Sequence, residues 1–462
     1  MSIKIWGFLK ILLIIPVLIG CDVDKERLRE LISSADNKTP LVNAGKDRTV
    51  NYGDVVTLQG QAADPDGEII DVEWEQESGY DQISLSDVHI LTPSFVVPMN
   101  EKAEVKSYRF KLNVTDNNGL RVTDSVTVTT DSNKGWSLIS REQLLVTGLP
   151  GYDEDGDYSR LPDRVSSKLR SELQALEMNT AGGMISFMTD SNSLMINAVS
   201  EASDRPHMNE FITLGLDVYV DGIYEDTFID GKFRGKRASY NQGANEIVGL
   251  GDGWKLIEVY LPLYGNIASI DIGVEESGRV KRPKAPENLI VFYGSSITQG
   301  CCASNSSQSF PVLVAKKLNL RHVNLGFSGN GLGDKEIADY IVELSPDYVV
   351  LDYWANPTFR QYENTLAEFV GIIKQGLPDS MIFITSTFYS PSREIENLLK
   401  DKVSVSVVDQ LRGNGNNNIY YVPDLFGEKD ISGLVDGLHL NSLGFKIVST
   451  NLVDYLDGIG VR

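Results

Sequence analysis

Three changes in residue pattern predict a multidomain chain, with two all-β sandwiches followed by an α/β region built on a parallel sheet. Apolar and polar residues alternate from Leu41 to about Asp131, between clusters of turn-forming residues. A second alternating stretch covers residues 136–284, and from residue 287 apolar runs alternate with amphipathic segments. Alternation with a period of two indicates strands with one buried face, whereas strands that alternate with helices indicate a parallel sheet covered on both sides.

Short alternating segments separated by turn signals characterise the first region, 41–131. The alternation is clearest at Val56–Leu58, Val72–Trp74 and Phe110–Val114. The intervening turns are predicted at Asp64-Pro65-Asp66-Gly67 and Asp116-Asn117-Asn118-Gly119, which consist of residues that tight turns favour. About six to eight strands at this spacing predict a β-sandwich.

The second region, 136–284, repeats the alternation, and glycines separate its strands. The clearest segments are Ile185–Phe187, Leu194–Ile196, Val218–Val220 and Ile257–Leu261. This pattern predicts a jelly-roll-like sandwich, with at least one helical turn within residues 165–176.

The third region, 287–462, has the pattern of a doubly covered parallel sheet. The predicted strands are Leu289–Tyr293, Val323–Phe327, Tyr348–Tyr353, Met381–Thr385 and Ile419–Val422. The predicted helices are Phe310–Leu318, Lys335–Leu344, Tyr362–Lys374, Ile395–Leu411 and Leu443–Leu456. Ligands of such sheets bind at the carboxyl ends of the strands, so functional residues are expected in the loops that follow them.

Charge and cysteine content exclude several classes of function. The 462 residues include 64 acidic and 42 basic side chains, which gives a formal net charge of −22. Such a field repels nucleic acid and anionic lipid, and we expect neither as a ligand. The three cysteines are not expected to make a disulfide framework or a four-ligand zinc site. The adjacent Cys301 and Cys302 are either a strained vicinal disulfide or two loop thiols.

The first twenty residues have the features of a signal peptide. Two lysines precede the apolar run Ile11–Ile19, which is too short to span a bilayer. The run ends at Leu18-Ile19-Gly20-Cys21, which resembles the bacterial lipobox. That resemblance implies cleavage before Cys21, lipidation of its thiol and a place in the bacterial cell envelope. The polar and charged residues 22–40 then indicate a tether over 21–40, or a short helix with a flexible end. An ordinary secretory signal and an uncleaved anchor are the alternatives, and the membrane face stays open.

Polar residues that suit acyl transfer follow the predicted strands of the third region. Ser296 stands in the turn after the first strand, within Tyr293-Gly294-Ser295-Ser296, where Gly294 is expected to give the backbone freedom. Asp436-Gly437-Leu438-His439 follows the last strand. A serine hydroxyl is a weak nucleophile until a histidine accepts its proton, and a carboxylate orients that histidine.

Taken together, these motifs resemble the SGNH, or GDSL-type, hydrolases. The resemblance covers residues 288–462 and implies a flavodoxin-like three-layer fold. It assigns Ser296 as nucleophile, His439 as base and Asp436 as its partner. It implies that the Ser296 and Gly329 N–H groups and the Asn356 amide stabilise the oxyanion, with no metal and no cofactor.

Three residues depart from the pattern of that family. Ser295 replaces the family's aspartate before the nucleophile and is a weaker candidate nucleophile itself. Trp354 and Pro357 replace the glycine and the final aspartate of the family's Gly-x-Asn-Asp block, whose asparagine maps to Asn356.

The β-rich regions resemble two further families. Asn43-Ala44-Gly45, the turn at 64–67, Trp74 and Val114-Thr115-Asp116 resemble a polycystic-kidney-disease (PKD) repeat. Its Asp-Pro-Asp-Gly turn is either a calcium site or a solvated turn. Gly215-Leu216-Asp217-Val218-Tyr219 resembles the Gly-x-Asp-Leu-Tyr domain that precedes esterases of this type, and His207 nearby either lines a cleft or bonds a loop.

The resemblances imply an esterase that removes acetyl groups from a polysaccharide or oligosaccharide. A lipid or aryl esterase, or a thioesterase, is the first alternative. A non-catalytic surface protein whose sandwiches bind carbohydrate is the second. Tyr353 and Trp354 either stack on a sugar ring or pack under the catalytic loop.

Overall fold

The structure is a computed structural model that describes residues 37–79, 82–98, 106–131, 136–202, 208–229, 231–234, 245–427 and 431–461. The signal segment 1–20, Cys21, most of the tether 21–40 and His207 lie outside the described residues. The described residues form two compact units: those up to Thr49 with Thr57–Pro93 and Lys106–Thr129, and those within Val50–Val56, Ser94–Val105 and Thr130–Arg462.

Residues 41–131 form short antiparallel strands. The strands are Leu41–Asn43, Arg48–Asn51, Val55–Thr57, Gln61–Ala63, Ile69–Ser78, Ser94–Val96, Ser107–Asp116 and Arg121–Asp131. Ile69–Ser78 pairs with Ser107–Asp116, which pairs with Arg121–Asp131. Within the predicted Asp64–Gly67 turn, the Asp64 carboxylate accepts from the Asp66 N–H, as Asp residues commonly do in tight turns.

Two antiparallel sheets enclose an apolar core in residues 136–281, which we name the β support region. The strands are Trp136–Leu138, Leu145–Thr147, Met184–Thr189, Ser193–Ala202, Leu216–Val220, Ile223–Ile229, Lys232–Phe233, Glu246–Val248, Lys255–Tyr260, Gly265–Glu275 and Val280–Lys281. The α-helices are Pro150–Glu154, Asp163–Ser166, Ser171–Glu177 and Glu210–Thr213. Two of these helices occupy the 165–176 stretch, where a helical turn is predicted.

A five-stranded parallel sheet organises the hydrolase region, 287–461. Its strands, in spatial order, are Arg321–Gly326, Leu289–Gly294, Tyr348–Asp352, Met381–Thr385 and Ile419–Val422. All four neighbouring pairs are parallel, so every strand delivers its following loop to the same edge. The predicted order of two β regions and one α/β region is confirmed.

Helices cover the sheet. They are Ser296–Gln299, Phe310–Leu318, Lys335–Leu344, Phe359–Gly376, Glu394–Gly413 and Ser442–Gly458. Helix Phe359–Gly376 begins at a capping box formed by Thr358 and Gln361, three residues before the predicted start. Among the described residues, no helix combines the length and apolar character that crossing a bilayer requires.

The apolar core of the hydrolase region continues into the β support region. Leu161, Leu173, Leu263 and Tyr264 belong to the same buried cluster as the sheet residues Ile290 to Tyr293. Because the two regions share one core, apolar side chains of the β support region help to bury the parallel sheet.

Candidate active site

Ser296 is the first residue of a short helix that begins where the strand Leu289–Gly294 ends. The preceding Ser295 is the helix N-cap, since its hydroxyl accepts from the Ile297 N–H at 3.1 Å. Ser295 is fully buried, whereas Ser296 retains 6% of its surface. Ser295, the weaker candidate nucleophile, therefore serves as the N-cap of the serine helix.

Gly294 is needed for space, which corrects the sequence interpretation that it gives the turn backbone freedom. Its φ is not in the left-handed region. A Cβ atom there would collide with the Thr298 hydroxyl and with the Asp352 carbonyl oxygen. Any side chain at this position would push the serine turn away from the neighbouring strand.

The structure brings Ser296, His439 and Asp436 together across 143 residues of sequence. The Ser296 Oγ lies 2.9 Å from the His439 Nε2. The His439 Nδ1 lies 2.7 Å from the Asp436 Oδ2. The other carboxylate oxygen, Asp436 Oδ1, accepts from the N–H groups of Leu438 at 3.1 Å and His439 at 2.8 Å.

These hydrogen bonds keep the Asp436 carboxylate ionised. Partial burial alone would raise its pKa, but the His439 N–H, the His439 ring and the Leu438 N–H outweigh that effect and lower the pKa to about 2. Asp436 is 51% exposed and His439 is 18% exposed, so the pair is open to solvent on one side.

Gly329 and Asn356 lie in the loops that follow the two neighbouring strands. Gly329 is exposed and has φ +72°, with open space where a side chain would stand. Its loop is held to the serine strand by the Phe327 N–H, which donates to the Gly294 carbonyl at 2.9 Å. The half-buried Asn356 accepts from the Gly331 N–H through its Oδ1 at 3.0 Å. This bond fixes the orientation of the amide.

A buried carboxylate, Asp352, lies directly behind the serine turn. It accepts hydrogen bonds at 2.8 Å from the hydroxyls of Thr298 and Thr385 and from the Trp354 indole. Complete burial raises the pKa of Asp352 to about 6, against the opposing effect of these three bonds.

Tyr353 and Trp354 pack beneath the loop and are not available to stack on a sugar. Each is 1% exposed. Tyr353 packs against Tyr293, with 5.3 Å between the ring centroids, and Trp354 packs against Phe388 at the same separation. Of the two alternatives that the sequence leaves open, packing is the one observed.

The β support region holds the serine turn from behind. The Tyr264 hydroxyl donates to the Ser296 carbonyl at 3.2 Å. The Gln299 amide donates to Asn179 Oδ1 at 3.0 Å and to the Leu263 carbonyl at 3.1 Å, and it accepts from the Ser328 N–H at 3.0 Å. Gln299 therefore links the serine turn to both the support region and the Gly329 loop.

Arg160 of the β support region is buried against the strand that precedes the Gly329 loop. Its guanidinium donates to the carbonyls of Asn324, Gly326 and Leu176 and stacks on Phe327, with 4.6 Å from Cζ to the ring centroid. Burial lowers its pKa to about 10, so it remains cationic at neutral pH.

The Gly-x-Asp-x-Tyr motif contacts the segment that follows the serine helix. The buried Asp217 accepts from the Ser307 N–H at 2.8 Å, and the Tyr219 hydroxyl lies 2.9 Å from the Ser307 Oγ. The motif itself was visible in the sequence. Arg160, Tyr264 and Asp352 were not found by sequence reasoning, because each is a single residue whose partners lie far away along the chain.

Comparison with protein-family models gives three matches in the predicted order. Residues 44–130 match a PKD domain, residues 136–280 match the N-terminus of SGNH-hydrolase-type esterases, and residues 287–456 match the GDSL-like lipase/acylhydrolase family. The hydrolase region belongs to this last family. The predicted resemblances to SGNH-type hydrolases, the Gly-x-Asp-Leu-Tyr domain and a PKD domain are thereby confirmed.

Solved structures resemble this chain over most of its length. A GDSL-like lipase from Bacteroides ovatus is 25% identical with a TM-score of 0.63, over 70% of this chain and 98% of that one. The salicylyl-acyltransferase SsfX3 of a tetracycline biosynthetic pathway is 21% identical with a TM-score of 0.60, over 71% and 99% of the two chains, and shows a shared fold.

A curated relative matches a much smaller part of this chain. A Clostridium perfringens protein named as an N-acetylmannosamine-6-phosphate 2-epimerase is 33% identical over 101 residues. The match covers 20% of this chain and 44% of that protein, so the chain spans less than half of the curated relatives it matches. A match over so small a part of both proteins does not indicate a shared activity.

Proposed function

We propose that Ser296, His439 and Asp436 are the catalytic triad of this esterase. The observation that carries the proposal is the continuous hydrogen-bond chain from the Ser296 Oγ through the His439 ring to Asp436. In the proposed reaction His439 takes the proton of Ser296 as the Oγ attacks an ester carbonyl. The alcohol leaves with that proton, and water, activated by His439, then hydrolyses the acyl-enzyme.

The oxyanion of each tetrahedral intermediate would be stabilised by three donors. They are the N–H groups of Ser296 and Gly329 and the amide nitrogen of Asn356. The support for Asn356 is its bond from Gly331, which occupies the amide oxygen and leaves the nitrogen end for a substrate oxygen. The support for Gly329 is its exposure and the open space around it.

The proposed substrate is an acetyl ester of a polysaccharide or oligosaccharide. Asp436 and His439 are 51% and 18% exposed, so polar groups of the candidate site face solvent, which suits a hydroxyl-rich molecule. Beyond the exposed Asp436, Ser304 and Ser442 form an exposed pair, with 2.8 Å between their hydroxyl oxygens. Because these serines follow Cys302 and His439 closely in sequence, we expect them to lie at the edge of the candidate active site.

A second substrate class, lipid or aryl esters, is favoured by exposed apolar side chains near His439. Ile431, Val435 and Leu443 are 61%, 57% and 49% exposed. Acetate release from acetylated xylan or pectin, compared with cleavage of nitrophenyl esters of increasing acyl length, separates the two classes. Faster cleavage of long-chain esters than of acetylated polysaccharide would contradict the first.

The triad is tested by covalent labelling with a fluorophosphonate. We expect one adduct per chain, on Ser296, and none in Ser296→Ala, whose turnover of an aryl acetate should fall by about 10⁶. Ser295→Ala is the matched control and should still be labelled on Ser296. Labelling of Ser295, or none in the wild-type chain, would contradict the proposal and favour a non-catalytic carbohydrate-binding protein.

We further propose that Cys21 is lipidated and anchors the esterase in the bacterial cell envelope, with acylated carbohydrate as its substrate there. Support comes from the apolar run and the lipobox-like residues 18–21. In cells fed an alkyne-tagged fatty acid, the wild-type chain should acquire the tag and sediment with membranes. Cys21→Ser should do neither, and a tagged Cys21→Ser chain would refute the anchor.

A further inference from the structure

Two adjacent thiols lie beside the candidate catalytic histidine. Cys301 is fully buried and Cys302 half-buried, in the loop directly after the serine helix. Their Sγ atoms are 2.8 Å apart. These two sulfurs and a ring nitrogen of His439 all lie within 4.8 Å of one another. No other trio of His, Cys, Asp or Glu comes so close within the part of the chain that the structure describes.

Two thiolates and an imidazole are the ligands that zinc and similar soft divalent ions prefer. Tetrahedral coordination, with bonds of about 2.3 Å to sulfur and 2.0 Å to nitrogen, places neighbouring ligand atoms about 3.7 Å apart. The observed spacing is compatible with that arrangement if the sulfurs separate by about 1 Å. A fourth position remains open for water.

The contacts of His439 also suit a metal ligand. A histidine that binds a metal usually donates its other ring N–H to a carboxylate, which fixes the ring and strengthens the ligand. His439 makes that bond with Asp436 Oδ2 at 2.7 Å, and the carboxylate is held in turn by two backbone N–H groups. The ring is therefore already oriented for either a proton or a metal ion.

We propose that Cys301, Cys302 and His439 form an inhibitory site for one soft divalent metal ion, for which zinc is the probe. Each thiol releases its proton to solvent as its sulfur bonds the metal, and no electron is transferred. Coordination through Nε2 occupies the lone pair that accepts the Ser296 proton. Coordination through Nδ1 displaces Asp436. Either way His439 stops acting as a base, so this effect on turnover rests on the proposed triad.

Metal binding is tested spectroscopically with cobalt(II) on the reduced, metal-free full chain. We expect a thiolate-to-cobalt charge-transfer band that saturates at one equivalent. Cys302→Ser should weaken binding by more than about tenfold. His439→Gln should also weaken it and shift the visible bands. His89→Gln, which changes an exposed histidine in the first unit, is the matched control and should bind as the wild type does.

Inhibition is the second readout. One equivalent of zinc should abolish hydrolysis of an aryl acetate by the wild-type chain, and EDTA should restore it. Cys302→Ser, compared with its own metal-free rate, should be resistant at the same zinc concentration. An unchanged cobalt spectrum in Cys302→Ser, no charge-transfer band, or normal turnover by the loaded wild type would each overturn the site. Failure of the proposed triad is recognised separately, because the metal-free chain would then escape fluorophosphonate labelling.

Discussion

The serine turn and the histidine loop hold their residues in opposite ways. Ser296 is buried, and its turn is bonded by groups from three distant parts of the chain: Tyr264, Asn179 and the Gly329 loop. His439 lies in an open loop, where the side chain of Asp436 makes three bonds to Leu438 and His439. Tertiary packing therefore fixes the nucleophile, whereas a four-residue turn fixes the base.

Among variants that keep the nucleophile, the largest expected effect comes from neutralising Asp436 in the histidine turn. In Asp436→Asn the amide oxygen still accepts from the two backbone N–H groups, so the turn should persist. The imidazole loses its orienting charge, and kcat should fall by about 10⁴. A fall of less than tenfold, measured with an aryl acetate at saturation, would show that His439 is positioned by something other than this turn.

Removing Arg160 tests the tertiary support of the serine side. Arg160→Met leaves three buried carbonyls without their donor, and we expect a loss of about 3–5 kcal/mol of unfolding free energy together with a lower kcat. The control is Arg164→Met, which removes exposed ion pairs to Glu154 and Glu343 and should cost at most about 1 kcal/mol. Equal losses, measured by urea unfolding, would contradict the supporting role of Arg160.

Asn356→Ala tests the third loop of the site. Losing one oxyanion donor typically costs about 2.7–4 kcal/mol of transition-state stabilisation. We expect that loss mainly in kcat, with KM nearly unchanged, because the oxyanion exists only along the reaction path. A change confined to KM would assign Asn356 to substrate binding instead.

The two carboxylates should give the stability opposite pH dependences. Burial raises the pKa of Asp352 to about 6, so its contribution is complete below about pH 4 and is lost as the pH rises through 6. Hydrogen bonds that outweigh partial burial lower the pKa of Asp436 to about 2, so its contribution is present above about pH 4 and is lost as the pH falls through 2.

Unfolding free energies measured from pH 2 to pH 7 check this contrast. Asp352→Asn should flatten the curve between about pH 4 and 6, and Asp436→Asn should flatten it below about pH 4. Identical curves for the wild type and both variants would show that neither carboxylate changes its pKa on folding.

Tyr264→Phe should have the smallest effect. It removes one hydrogen bond to the Ser296 carbonyl and keeps the ring in the core, which costs about 0.5–1.5 kcal/mol. Tyr340→Phe is the control, because the buried Tyr340 hydroxyl makes no hydrogen bond to any described residue. A larger loss for Tyr340→Phe would indicate that the bond to Ser296 contributes nothing.

The contrast between the serine turn and the histidine loop also explains how much of the protein could be predicted from its sequence. The alternation of apolar runs and helices was sufficient for the parallel sheet, and Asp436 and His439 were recognisable because their geometry is local. The residues of the β support region that hold the serine turn and the strand before the Gly329 loop were not, because Tyr264 and Arg160 carry no motif. Gly294 was correctly noticed but wrongly explained, because only the packed structure shows what a Cβ atom would meet.

The continuous core of Leu161, Leu263, Tyr264 and the central strands sets the smallest useful fragment of this protein. A truncation that starts at Asn288 would expose apolar side chains of the sheet and its helices to water. It would also remove Tyr264, which bonds the serine turn. A truncation that starts at Trp136 keeps the shared apolar core and the hydrogen bonds to the serine turn. In domain recombination, natural or engineered, residues 136–461 should therefore be exchanged as one unit, with the crossover point before Trp136.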